Sequence, residues 1–159
     1  MFNDQGFEIL ISSDLQYEEL CSEIYFEDQL VALITRENGL ENAIIEIFPP
    51  SNSENWSFDC ARFLKTVEKA TSTLIRTDEN PKPNKKSSNF GKFNVVLKDL
   101  PYKKNGKTEI FYDHLYLGEI SGGPEGLIIQ FNGKSLKSHS EFKVDEIVSA
   151  ITKGKELLR

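Results

Sequence analysis

The chain repeats itself, and this restricts its fold more than any other feature. Gly6–Tyr17 returns as Gly91–Tyr102, a period of about 85 residues. Gly6, Asp14, Leu15 and Tyr17 match Gly91, Asp99, Leu100 and Tyr102 at one offset, and apolar residues match between them. After an apparent one-residue insertion the correspondence resumes. Glu23–Phe26 aligns with Glu109–Tyr112, Leu30–Ile34 with Tyr116–Ile120, and Ile44–Phe48 more loosely with Leu127–Phe131. Each copy closes on a helix-period segment introduced by an aromatic residue, Phe58 or Phe142.

Within a copy, short apolar runs are separated by turn chemistry, the mark of strands. Phe7–Ser12, Leu20–Phe26, Leu30–Thr35 and Ala43–Phe48 read as strands in the first copy. Glu27-Asp28-Gln29 and Glu37-Asn38-Gly39 are the turns, and Pro49-Pro50 is the stop. Ser51–Ser57 reads as a polar loop with Ser57 as N-cap. Phe58–Ile75 then places Cys60, Phe63, Leu64, Val67, Ala70 and Leu74 on one helical stripe. The second copy offers strands at Phe93–Leu97, Thr108–Tyr112, Leu115–Ile120 and Leu127–Phe131, then a helix over Val144–Leu158. Gly154 weakens that helix by about 1 kcal/mol relative to alanine. The glycine-rich Ser121–Gly126 reads as a long hairpin loop, because it lacks both the P-loop and the dinucleotide fingerprints.

The expected fold is therefore α+β: two tandem diverged repeats, each an antiparallel β-meander of about four strands followed by one helix, packed with pseudo-twofold symmetry. Residues 1–76 form the first unit, 77–89 a linker rich in proline, lysine and serine, and 90–159 the second unit. Units this small bury too little surface to be stable alone, so they should pack on each other.

Charge divides the halves. Residues 1–76 hold fourteen acidic and five basic residues, a balance of −9, whereas residues 77–159 stand at +3, giving the net −6. An acidic half repels phosphates and suits a basic partner, so nucleic acid is not expected to bind. No apolar run approaches the roughly 18 residues that span a bilayer, so no membrane contact is expected. The start, Met1–Gly6, has neither the basic nor the apolar region of a secretory leader. With only Cys21 and Cys60, both read as reduced thiols, the expected location is cytoplasmic.

Catalytic signals are absent. His114 and His139 stand in a turn and a polar stretch, with no counterpart in the first copy. Metal spacing is missing, and no cofactor is expected. Lys82–Lys86 and Lys103–Lys107 are short basic runs of solvated loops. Carboxylates cluster at predicted turns and strand ends. Asp14, Glu18, Glu19, Glu27, Asp28, Glu37, Glu41 and Glu54, with Trp56 as a loop aromatic or a cap on the following helix, are the candidate partner-binding residues.

The segment Glu8–Pro50 carries Ser13–Leu20, Glu23–Phe26, Val31–Ile34 and Ile45–Pro49 in an order that resembles bacterial toxin–immunity locus proteins, in particular immunity proteins of contact-dependent growth inhibition systems. The resemblance implies a non-enzymatic protein that binds the C-terminal domain of a cognate toxin, often a basic nuclease, and occludes its active or partner-binding surface. Two other readings stay open: a small carboxylate-using hydrolase with its site in the inter-repeat groove, and a structural module that oligomerises through exposed sheet edges.

Overall fold

The computed structural model describes residues 2–4, 6–13, 20–36, 43–51, 53–74, 91–98, 106–123 and 126–158. The expected linker, at 77–89, lies outside the described residues. The elements run β1 (Phe2–Asp4), β2 (Phe7–Ser13), β3 (Leu20–Phe26), β4 (Gln29–Thr35), β5 (Ile44–Ile47), β6 (Asn55–Asp59), α1 (Cys60–Thr73), β7 (Phe93–Lys98), β8 (Lys107–Tyr112), β9 (Leu115–Gly123), β10 (Gly126–Asn132), α2 (Gly133–Ser138), β11 (Glu141–Lys143) and α3 (Val144–Leu157). The protein is α+β, with two antiparallel sheets and three helices.

The sheets do not follow the halves of the sequence. One is ordered β1-β2-β3-β4-β5-β11, the other β6-β10-β9-β8-β7. Strand β6 thus leaves the meander of the first half to pair with β10, and β11 leaves the second half to pair with β5. Helix α1 packs on β2 and β3 of one sheet and on β6 and β10 of the other, while α3 packs on β7, β8, β9 and β11. A continuous apolar core, from Phe7 through Phe63 to Phe142 and Ile151, fills the space between.

Two aromatic triads fasten the crossing strands. Phe58 belongs to β6, yet its ring lies 5.1 Å from Phe7 and 5.0 Å from Phe26, which belong to the other sheet and sit 4.8 Å apart. Phe142 belongs to β11, yet its ring lies 5.5 Å from Phe93 and 5.1 Å from Tyr112, themselves 4.9 Å apart. Each of these two residues is tied by its backbone to one sheet and packs its ring on the other, so backbone pairing and side-chain burial join the two layers.

The helices reach their sheets by a shared device. Ser22 Oγ donates to the Ala70 carbonyl at 2.7 Å, and Thr108 Oγ1 donates to the Gly154 carbonyl at 3.3 Å. Both hydroxyls are buried and satisfy a carbonyl near the helix end. At Gly154 a Cβ would stand 2.9 Å from Ile120 and 3.0 Å from Thr108, so this glycine allows α3 to lie close on β8. That packing offsets the helix propensity it forgoes.

Several expectations need correction. Asn55–Asp59 is strand β6, not a polar loop; Trp56 and Phe58 are buried while Ser57 between them is exposed, a period of two. The α1 N-cap is Asp59 rather than Ser57, and its carboxylate accepts the Arg62 amide hydrogen at 2.9 Å. Strand β9 runs on to Gly123, paired with Gly126 of β10, so the expected glycine loop is largely ladder. Asn132-Gly133 starts the short helix α2, with Asn132 capping the Ser135 amide. In the ladders Phe7↔Phe26 and Ile9↔Ile24 correspond to Phe93↔Tyr112 and Val95↔Ile110 at one offset, so β2 matches β7 one residue away from the Gly6–Gly91 alignment.

Both cysteines are buried. Burial, opposed by the Lys155 charge and helped slightly by the Asp59 charge, pushes the Cys60 thiol up to about 11. Thiolate is the reactive form, so neither thiol of the folded protein should react with a disulfide reagent at about pH 8, and both should react once it is unfolded. Modification of Cys60 faster than global unfolding, followed by mass spectrometry, would contradict the packing of α1.

Candidate functional site

The site is one face of the six-stranded sheet, exposed at Leu10 and Glu141 and half-buried at Glu23, Leu33 and Glu46 between them. In β3 the side chains of Ser22 and Ile24 are buried, which turns Glu23 and Tyr25 outward. The ladders carry this alternation across the sheet. Leu10 opposes Glu23, Glu23 opposes Leu33, Leu33 opposes Glu46, and Glu46 opposes Glu141. Neighbouring strands lie about 4.8 Å apart, so the row spans about 19 Å. Glu8 opposes Tyr25 on the same face.

This row joins carboxylates to apolar groups, Leu10 at 45% exposure and Leu33 half-buried. Among the described residues Glu23, Glu46 and Glu141 form no ion pair, and Tyr25 donates a weak 3.4 Å hydrogen bond to Glu23. Glu46 and Glu141 are like charges placed directly opposite each other, an unfavourable cross-strand pair. Partial burial, and secondarily the Glu141 charge, hold the Glu46 carboxyl above the usual carboxylate range, against a lowering hydrogen bond from Ser140. Lys143, two residues beyond Glu141, is the nearby cation of β11.

The corresponding row of the second sheet differs. Val96, Glu109, Glu119, Gln130 and Ser57 oppose one another in turn. Its two carboxylates share one cation, Lys107, whose Nζ lies 3.9 Å from Glu109 and 3.5 Å from Glu119. Tyr116 donates to Glu119 at 2.6 Å. Burial, then this bond, raises the Tyr116 phenol well above its ordinary value. Among the described residues, the carboxylates of the second row share a lysine, whereas Glu23, Glu46 and Glu141 of the first pair with none.

Of the residues expected to bind a partner, Asp14, Glu18, Glu19, Glu37 and Glu41 lie outside the described residues. Glu27 and Asp28 form the exposed β3–β4 turn, both with positive φ, at the end of the strand that carries Glu23. Glu54 is exposed before β6. Trp56 is not a loop anchor. It is 5% exposed, stacks 5.4 Å from Phe58 and donates its indole N–H to the Phe48 carbonyl at 2.6 Å, because β6 turns it into the core.

Reading carboxylates at turns missed Glu8, Glu23, Glu46 and Glu141. The alternation of polar and apolar residues marks the first three as outward. No local signal places Glu141 beside Glu46, since β11 crosses from the other half. His114 is exposed in the β8–β9 turn, and His139 stacks on Tyr112 at 4.6 Å. No group of three or more potential metal ligands occurs among the described residues, and no helix there is long and apolar enough to cross a membrane. No family model, curated protein or solved structure matches the chain.

Proposed function

We propose that this protein is an immunity protein: it binds a cognate secreted toxin domain through the outer face of the β1–β5/β11 sheet and neutralises it by occlusion. The observation that carries the reading is the row Leu10, Glu23, Leu33, Glu46, Glu141, whose Glu46–Glu141 pair has no cation partner among the described residues. A basic partner supplies the missing counter-charge, and the apolar side chains between the carboxylates supply contact area. The partner is a basic toxin C-terminal domain, nuclease-like in charge, and the protein acts in the cytoplasm without catalysis of its own.

The same reading includes an internal duplication with pseudo-twofold symmetry. Three parallels support it: the aromatic triads, the Ser22–Ala70 and Thr108–Gly154 bonds, and the register shifts at Ile24/Tyr25 and Ile110/Phe111. Glu27 and Asp28, at φ 48° and 68°, match Asp113 and His114 at 47° and 70°. Charge distinguishes the copies: the toxin-binding face is built on strands of the acidic copy, with Glu141 supplied by the other.

The test is growth rescue. The protein is co-expressed with the C-terminal domain encoded by the adjacent upstream reading frame, and viable cells are counted. Rescue with formation of a stable complex is the expected result, and killing regardless of the protein sinks the proposal.

Binding should also depend on pH with a definite sign. The raised Glu46 carboxyl takes up a proton, as pH falls, before an ordinary glutamate does. A basic partner prefers the ionised form, so affinity should decline on acidification from above the usual carboxylate range. Glu46→Gln should remove that early part of the decline, measured by calorimetry at a series of pH values.

A further inference from the structure

A second surface is left unused by the proposed toxin contact. In the sheet order β7 is an edge strand, and Lys92, Asn94, Val96 and Lys98 alternate along one of its faces. With Phe111, Asp113 and His114 they line an open groove of about 460 Å³. Lys92 and Lys98 are six residues apart, about 20 Å of extended chain. Both are exposed, and neither forms an ion pair among the described residues. Asn94 opposes Phe111 across the ladder, so the floor between the two lysines is apolar at Val96 and Phe111.

We infer that this groove docks an extended acidic segment of a protein partner, with a carboxylate facing Lys92, another facing Lys98, and apolar side chains on Val96 and Phe111 between them. Charge complementarity selects the occupant, since the lining carries a lysine at each end. The spacing favours an extended chain over a compact ligand. A single-stranded nucleic acid would stack on Phe111 and His114, but its backbone carries a phosphate at every nucleotide and would set some against Asp113 and over Val96, whereas a peptide confines its carboxylates to the two ends.

The experiment uses the full chain and a series of fluorescein-labelled octapeptides, acidic at both ends and apolar in the centre. Controls are peptides with lysine at both ends and a labelled eight-nucleotide single strand. Fluorescence anisotropy should show saturable binding of an acidic peptide. Lys92→Glu with Lys98→Glu should weaken it at least about tenfold, the scale of a lost charged contact. Both residues are exposed, and a melting temperature close to that of the unaltered protein checks the fold. Glu23→Lys with Glu46→Lys should leave peptide affinity unchanged, which separates this groove from the toxin-binding face. The inference is overturned if no acidic peptide binds, if binding ignores the lysine substitutions, or if the oligonucleotide binds more tightly than every peptide.

Discussion

Phe58→Ala should destabilise the protein by about 3–5 kcal/mol, the range for deleting a buried phenylalanine ring. Phe58 is 3% exposed and touches Phe7, Phe26, Trp56 and Phe63. The loss is a large part of the roughly 5–15 kcal/mol that holds a domain folded. Its more telling consequence is cooperativity. Phe58 is hydrogen-bonded into the β6–β10 ladder while its ring packs on β2 and β3. Both sheets should therefore melt together, in one transition shifted to lower denaturant. Urea titration followed by Trp56 fluorescence and by far-ultraviolet circular dichroism checks this. Two separated transitions would mean that the crossing strands do not bind the sheets into one unit. Phe142→Ala, at the corresponding place in the other triad, should behave alike.

Glu23→Lys combined with Glu46→Lys should abolish growth rescue and weaken toxin binding by at least about a hundredfold, close to 2.8 kcal/mol. Both carboxylates are on the open face, and both stand in the row that runs from Leu10 to Glu141. Each substitution removes an attractive contact and adds a repulsive one, so the effect exceeds simple neutralisation. The fold should survive. Glu23 and Glu46 face outward, and lysine opposite Glu141 turns an unfavourable cross-strand pair into a favourable one. A variant that keeps its melting temperature but fails to rescue supports the assigned face. A stable variant that still protects places the interface elsewhere.

Strands β2 to β5 and β7 to β10 and the two long helices are visible in the sequence because each buries one side and therefore shows a period of two or 3.6, whereas β1, β6 and β11 are not. Phe58 and Phe142 are also marked, as aromatics that open the closing segment of each copy. Their true position, one strand before the helix, is hidden in composition. Asn55–Asp59 holds two buried aromatics among polar residues, and the flanking serines and asparagines resemble a loop. Strand exchange is not legible at all, because a short strand carries no mark of the sheet it joins. For the same reason the acidic face was only half visible. Glu8 and Glu23 follow from alternation, whereas Glu141 enters the row through pairing between residues far apart in the chain.

The placement of β11 also sets a timetable. During synthesis β2 to β5 are complete once Ile47 has been made, but the strand that finishes their sheet is Glu141–Lys143. At 5–20 residues per second the ribosome takes on the order of 5–20 s to cover that gap of roughly a hundred residues. Throughout it the β5 edge has no neighbour from its own chain, and the carboxylate row stops at Glu46. An interrupted translation product thus carries β1 to β5 without the strand that completes their sheet, and on the proposed reading the binding row is finished only with β11, the last of the described strands.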